Sequence, residues 1–448
     1  MVRVHTLTAI VLLASFFWGS VYPWTIVASL TAVCGLAASL PQDWLRGPRI
    51  TILSFYGIVL AFVVTVTLQI LPGILSLAPN NVWVVASETL GDDLPARAAV
   101  DLSVLLWRLG PAILYALTFW AALAIGSDRL RARAFLYSAA WGGAVLVVLT
   151  LSIFFASEYY LLWQNRNPVG SYFTHGFVNR NSAGSYLGTF TLLAFGLYFR
   201  SIRNLRLTGR RFFSPEVLDE LLPAISWQVL PHLLAFLIFT LGLILTASRG
   251  GILLTIPCLL FLMVVILVKS LEWFKALLWS ILVVSSLALW SLQSWGTSLS
   301  ERLYGAGLES DRMEVLPAVG NIITDYPLLG VGLGGFPSAF QAYRPTTVSP
   351  SVIYDKAHNT FLEITAEMGI PFAVLSGLFW IGLFVVLIRG VIRRRDRFIY
   401  PAVGSAIWLL ATLHSMVDFP LQIPGHAMTV AAILGVCIAQ TVRIGRRR

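Results

Sequence analysis

Three short segments hold the side chains best equipped for chemistry: Asn179-Arg-Asn-Ser182, Ser248-Arg-Gly-Gly251 and His358-Asn-Thr360. A guanidinium is planar, permanently charged and able to grip two phosphate or carboxylate oxygens at once. Arg180 and Arg249 therefore point to an anionic ligand. An imidazole titrates near neutral pH and can take a proton from a hydroxyl, so His358 is a candidate base. Together they suit a site that holds an anion and handles the proton of a hydroxyl. Plainer readings stand beside each. An arginine at a membrane boundary can snorkel to lipid headgroups, and a histidine on a first helical turn can simply bond locally. Arg249 resists the plainer reading most, because Gly250 and Gly251 allow close backbone approach in a tight turn. Arg166 and His175, upstream of Arg180, are weaker candidates for the same site. Asn359 can cap the helix that His358 opens, and Glu363 and Glu367 stack on it at i, i+4. The two acids suit a solvated face, or would orient the imidazole.

A membrane must position these residues. Of the 448 residues, 57% are hydrophobic and 12% charged, and the mean hydropathy is +0.80. A soluble domain carries about 25% charged residues. The sequence predicts an all-α polytopic membrane protein with about twelve transmembrane helices. The spans fall near 6–20, 23–40, 50–73, 109–126, 134–156, 183–199, 229–247, 251–268, 276–291, 370–388, 399–417 and 424–442. The apolar N-terminal run leads almost directly into a second one and reads as an uncleaved helical hairpin.

Charge is sided. With the N-terminus in the cytoplasm and every span crossing, both termini and most of the 31 Lys and Arg lie on the cytoplasmic side. The other side keeps Arg97, Arg108, Arg166, Arg180, Arg249, Arg302, Arg312, Arg344 and Lys356. Arg180, Arg249 and Arg312 lie close to membrane ends on the side where the positive-inside rule disfavours them. An anionic substrate is the natural reason. The net charge of +10 thereby belongs to orientation and to membrane lipids, and no nucleic-acid partner is implied.

Residues 1–448 read as one membrane domain. Residues 74–108 form an interfacial segment, and 292–369 a large loop or cap with helices of its own. Arg312–Ile323 has helical spacing, and a glycine-rich turn follows at 330–336. That turn lacks the strand and helix of a dinucleotide site, and no HExxH, CxxC pair or P-loop occurs. Neither a cofactor nor a metal is implied. The three cysteines lie in apolar spans and read as small buried hydrophobes. A transporter would place charges inside its spans, and these contain none.

Asn179-Arg-Asn with Gly184, Ser248-Arg-Gly-Gly251, and Pro327 to Phe336 running on to His358-Asn and Glu367-Met-Gly-Ile370 occur in that order. In this the chain resembles the O-antigen ligase superfamily, which includes Wzy-type polymerases. The resemblance implies a GT-C-like, metal-independent glycosyltransferase in the bacterial inner membrane, with its site on the periplasmic face. The implied donor is a glycan on undecaprenyl pyrophosphate. The implied acceptor is lipid A–core for a ligase, or another lipid-linked glycan for a polymerase. The family's essential arginines map onto Arg180 and Arg249 and its essential histidine onto His358. Arg312 matches a common arginine position.

Overall fold

The computed structural model describes residues 1–72, 79–156, 159–160, 164–165, 172–204, 229–270, 308–346, 354–395 and 397–442, with the backbone alone at 159–160, 164–165, 204, 270 and 308–314. The described chain is built of helices: α1 Val2–Phe16, α2 Pro23–Ser39, α3 Arg49–Ile70, α4 Asn81–Leu90, α5 Leu102–Gly126, α6 Arg129–Ala156 and α7 Arg180–Asn204. The second half continues with α8 Leu230–Leu245, α9 Arg249–Ser270, α10 Leu308–Asp325, α11 Phe336–Tyr343, α12 Thr360–Arg393, α13 Ile399–Ser415 and α14 Pro424–Ala439. Tyr159–Tyr160 and Gln164–Asn165 form a short antiparallel pair.

Among the described residues, α3, α5, α6, α9 and α12 are the five helices long and apolar enough to cross a membrane. Each apolar stretch read from the sequence falls on a helix except 276–291, which lies outside the described residues. Several of the remaining helices are short. α14 is buried along nearly its whole length and packs most heavily on α5. The outer helices turn apolar side chains outward: Leu53, Leu60 and Val63 on α3 and Leu378 and Ile381 on α12 are half-exposed or more. Apolar faces of that extent need a lipid or protein partner. Cys258 and Cys437 are buried as expected, whereas Cys34 sits on the outward face of α2 and is exposed. Its apolar surroundings in sequence could not tell a lipid-facing position from a packed one.

The basic segments gather at one end. Arg3 and Arg131 both lie over the Trp44 ring, the latter at 3.4 Å. Arg203 donates to Arg395 O, Lys269 to Ile392 O, and Arg394 to Gln440 O and Val442 O. These cations satisfy carbonyls at and just past the ends of α12 and α14, where the helix dipole favours positive charge.

At the opposite end lie the pieces that hold the site. α4 rests on the surface, its start capped by Asn80 and tied back by the Asn80 N to Arg97 O bond. Residues 102–108, read from sequence as interfacial, belong to the first turns of α5, which Asp101 caps. α10, α11 and the first turns of α12 share a small apolar core around Val319, Phe336 and Phe340. Within α12, Gly369 breaks the helix at φ 79°, so that Thr360–Met368 belongs to this cap and the apolar span begins at Ile370. A Cβ at Gly369 would lie 2.2 Å from Leu328 O, and the left-handed φ alone favours glycine. The glycine-rich turn is a clasp on this break. Val331 N and Gly332 N donate to Ala366 O and Glu367 O, while Gln69 Nε2 of α3 donates to Leu329 O and Glu367 O.

Candidate functional site

The sequence motifs meet where α7, α9 and α12 all begin. Asn179 starts α7 by accepting from Asn181 N at 2.7 Å, which leaves Arg180 and Asn181 on the first turn. Ser248 does the same for α9: its Oγ accepts from Gly251 N at 3.1 Å, and Arg249 opens the helix. Asn359 caps α12, accepting from Phe361 N and Leu362 N. Helix starts expose unpaired N–H groups and the positive end of the dipole, so their convergence favours an anion before any side chain is counted.

The first turns of α7 and α9 come close because both motifs carry glycine. A Cβ at Gly184 would lie 2.8 Å from Ser248 Cβ, and one at Gly251 would lie 2.8 Å from Gly184 Cα. Gly184→Val is therefore expected to lower stability by about 1–3 kcal/mol through overpacking. Thermal unfolding of the purified protein in detergent checks this.

A chain of hydrogen bonds joins the motifs. Ser248 Oγ donates to Asn181 Oδ1 at 3.0 Å, and Asn181 Nδ2 donates to Asp418 Oδ2 at 2.7 Å. The other Asp418 oxygen lies 3.3 Å from His358 Nδ1. Arg180 and Arg249 thus flank, residue by residue, a relay that ends on the imidazole. Asp418 sits in the turn after α13, its side chain 5% exposed against 22% for His358. Burial pushes its carboxyl upward. The His358 bond and charge, His414 and the Phe419 N–H outweigh that and hold it below the usual carboxylate range.

His358 itself is held firmly. Its backbone is left-handed at φ 52°, and its ring meets Phe419 edge-on at 5.1 Å. Asn359 Nδ2 donates to Met416 O and Thr360 Oγ1 to Asp418 O, so the start of α12 is pinned to the turn that carries Asp418. Upstream, Glu363 accepts from Ala357 N at 2.7 Å and pairs with Lys356 at 3.4 Å. Glu363 and Glu367 are both buried, which corrects the expectation of a solvated face. The i, i+4 acids point into the cap, where Glu367 accepts from Phe336 N. Burial and neighbouring Glu363 push the Glu367 carboxyl up to about 7.

Of the weaker candidates, His175 lies in the core. It is fully buried, lies 2.9 Å from Thr150 Oγ1 and stacks on Tyr186. Burial pushes it down to about 3, as befits a neutral core histidine. Arg180 Cζ lies 4.3 Å over the Tyr172 ring, and its buried Nη1 has no hydrogen-bond partner among the described residues. Arg312 is on α10 with its side chain outside the described residues, and Arg166 lies wholly outside them. Among the described residues no three His, Cys, Asp or Glu gather to hold a metal. Asp418 was missed from the sequence. Its signal was an acid kept at the end of an apolar span, beside Pro420, on the side that holds the arginines.

Residues 234–377 match the Wzy_C family model, described as O-Antigen ligase. No curated protein matches the chain. The matched stretch carries Arg249 and His358, while Arg180, Asn181 and Asp418 lie outside it and join the same cluster through the hydrogen bonds above. Over residues 234–377 this polytopic helical chain is thus similar to the O-antigen ligase family, in line with the resemblance its motifs carry.

Proposed function

We propose that the protein is an inverting, metal-independent glycosyltransferase on the periplasmic face of a bacterial inner membrane. It moves a glycan from undecaprenyl pyrophosphate to a sugar hydroxyl, as an O-antigen ligase acting on lipid A–core. The observation that carries this reading is the Ser248–Asn181–Asp418–His358 relay, with an arginine beside each of its first two members and helix starts around it.

In this reading the basic end of the bundle faces the cytoplasm. The pyrophosphate sits among Arg180, Arg249 and the helix N-termini, which neutralise charge as it develops on the leaving group. Buried Asp418 accepts from the Nδ1–H of His358 and so leaves Nε2 with its lone pair for the acceptor. The acceptor O–H gives its proton to Nε2 and its oxygen bonds to the anomeric carbon. The bond from that carbon to the phosphate oxygen breaks, and undecaprenyl pyrophosphate departs with the electron pair. One displacement inverts the anomeric centre.

The test supplies purified protein with lipid-linked donor and lipid A–core, in EDTA. A glycosylated lipid A–core of inverted linkage is the expected product, at a rate EDTA leaves unchanged. Longer lipid-linked glycan formed without lipid A–core would make the protein a Wzy-type polymerase instead. No new glycosidic bond with either acceptor would end the enzyme reading.

A further inference from the structure

The cap and bundle enclose a space that the relay does not use. α3, α5, α12 and α14 leave between them an apolar cavity of about 710 Å³, within the range of ligand pockets. Phe62, Val66, Ala116, Phe372, Ala431 and Leu434 are among its walls. Val63 and Ile113 at its edge are 53% and 45% exposed, so it opens sideways on the apolar flank of the bundle. A second cavity of about 350 Å³ adjoins it, sharing Ala112, Tyr115, Phe379 and Trp380.

There the lining changes character. Arg108, Lys356, Glu363 and Glu367 enter it, and so does Thr360, whose hydroxyl bonds Asp418 O. Lys356 is matched by Glu363 at 3.4 Å. Arg108 shares the pocket with Glu367, whose burial and acidic neighbour raise its carboxyl to about 7 and so weaken its negative charge near neutral pH. Beyond the Lys356–Glu363 pair, Arg108 is a cation lining this end of the slot. Among the described residues, neither cavity is lined by α7, α8 or α9. The space thus reaches the start of α12 from the side away from Arg180 and Arg249. An apolar slot open to lipid, ending in a cation near the start of α12, has the chemistry of an anionic lipid's binding site.

We infer that this is the acceptor's site: an acyl chain of the acceptor glycolipid lies between α3, α5, α12 and α14, with its anionic headgroup at Arg108. This rests on the transferase reading above. Donor and acceptor then approach His358 from opposite flanks, and neither lipid has to leave the bilayer.

A photolabel tests it without turnover. The full-length protein in phosphatidylcholine nanodiscs is irradiated with lipid A carrying a diazirine in one acyl chain. Labelling is expected on slot residues such as Phe62, Val66, Phe372 and Phe379, suppressed by unlabelled lipid A and not by diacylglycerol. It should fall about tenfold in Ala116→Trp, which fills the slot, and in Arg108→Gln, which leaves the walls intact. Equal labelling of both variants, or labelling only of outward residues such as Leu53 and Leu378, would overturn the site. Displacement of the label by undecaprenyl pyrophosphate would give the slot to the donor and overturn the acceptor assignment. Labelling as expected in a protein that forms no glycosidic bond would keep the lipid site and sink only the transferase.

Discussion

His358→Ala is expected to lower glycan transfer by about 10²–10⁴-fold, the range over which a positioned general base contributes. Asp418→Asn should fall in the same range although it changes hardly any volume. An amide at 418 would turn an N–H toward His358 Nδ1 and force the proton onto Nε2, the nitrogen that the acceptor needs free. Because both residues act on one proton, the double variant should be scarcely worse than either single one. Initial rates with saturating donor and acceptor measure this, with membrane insertion checked in parallel. Wild-type transfer by His358→Ala would remove the base from the mechanism. Losses that multiply in the double variant would show that Asp418 acts elsewhere, for example on the fold of the turn after α13.

Arg249→Ala should cost about 10²–10³-fold, as expected when one donor to a developing negative charge is lost. Arg249→Lys is the sharper experiment. Lysine keeps the charge but is a point cation without the planar fork, so the variant should recover only part of the rate. Full activity with lysine would mean that charge alone suffices at the start of α9. An effect confined to KM for the donor, with kcat intact, would mean that Arg249 binds ground state and transition state alike.

The parts of this site that lie within one helix turn could be read from the chain. Asn179 and Asn359 announce helix starts, and Arg180, Arg249 and His358 sit next to such starts in sequence as in space. Hydrophobic runs likewise located the helices, because a bilayer demands them regardless of tertiary detail. Asp418 was illegible for a different reason. A lone acid after an apolar span looks the same whether it faces water or clasps a histidine 60 positions away. Glu363 and Glu367 show the converse error: an i, i+4 acid pair on a first turn has the pattern of a wet face. What buries it here is Lys356, Ala357 N and Phe336 N, contributed by residues outside that helix. His175 could not be told from a functional histidine until the core closed around it.

The left-handed backbone at His358 carries a cost of its own. Forcing a side-chain-bearing residue into that region takes about 1–2 kcal/mol, and only glycine enters it freely. His358→Gly would relieve that cost but strip buried Asp418 of its imidazole partner, so its thermal midpoint should fall less than that of His358→Ala, which loses the same bond and keeps the strained backbone. On the proposed mechanism the histidine at this corner is a tolerated weakness. The bundle gives up some of its own resilience to keep a single ring aimed.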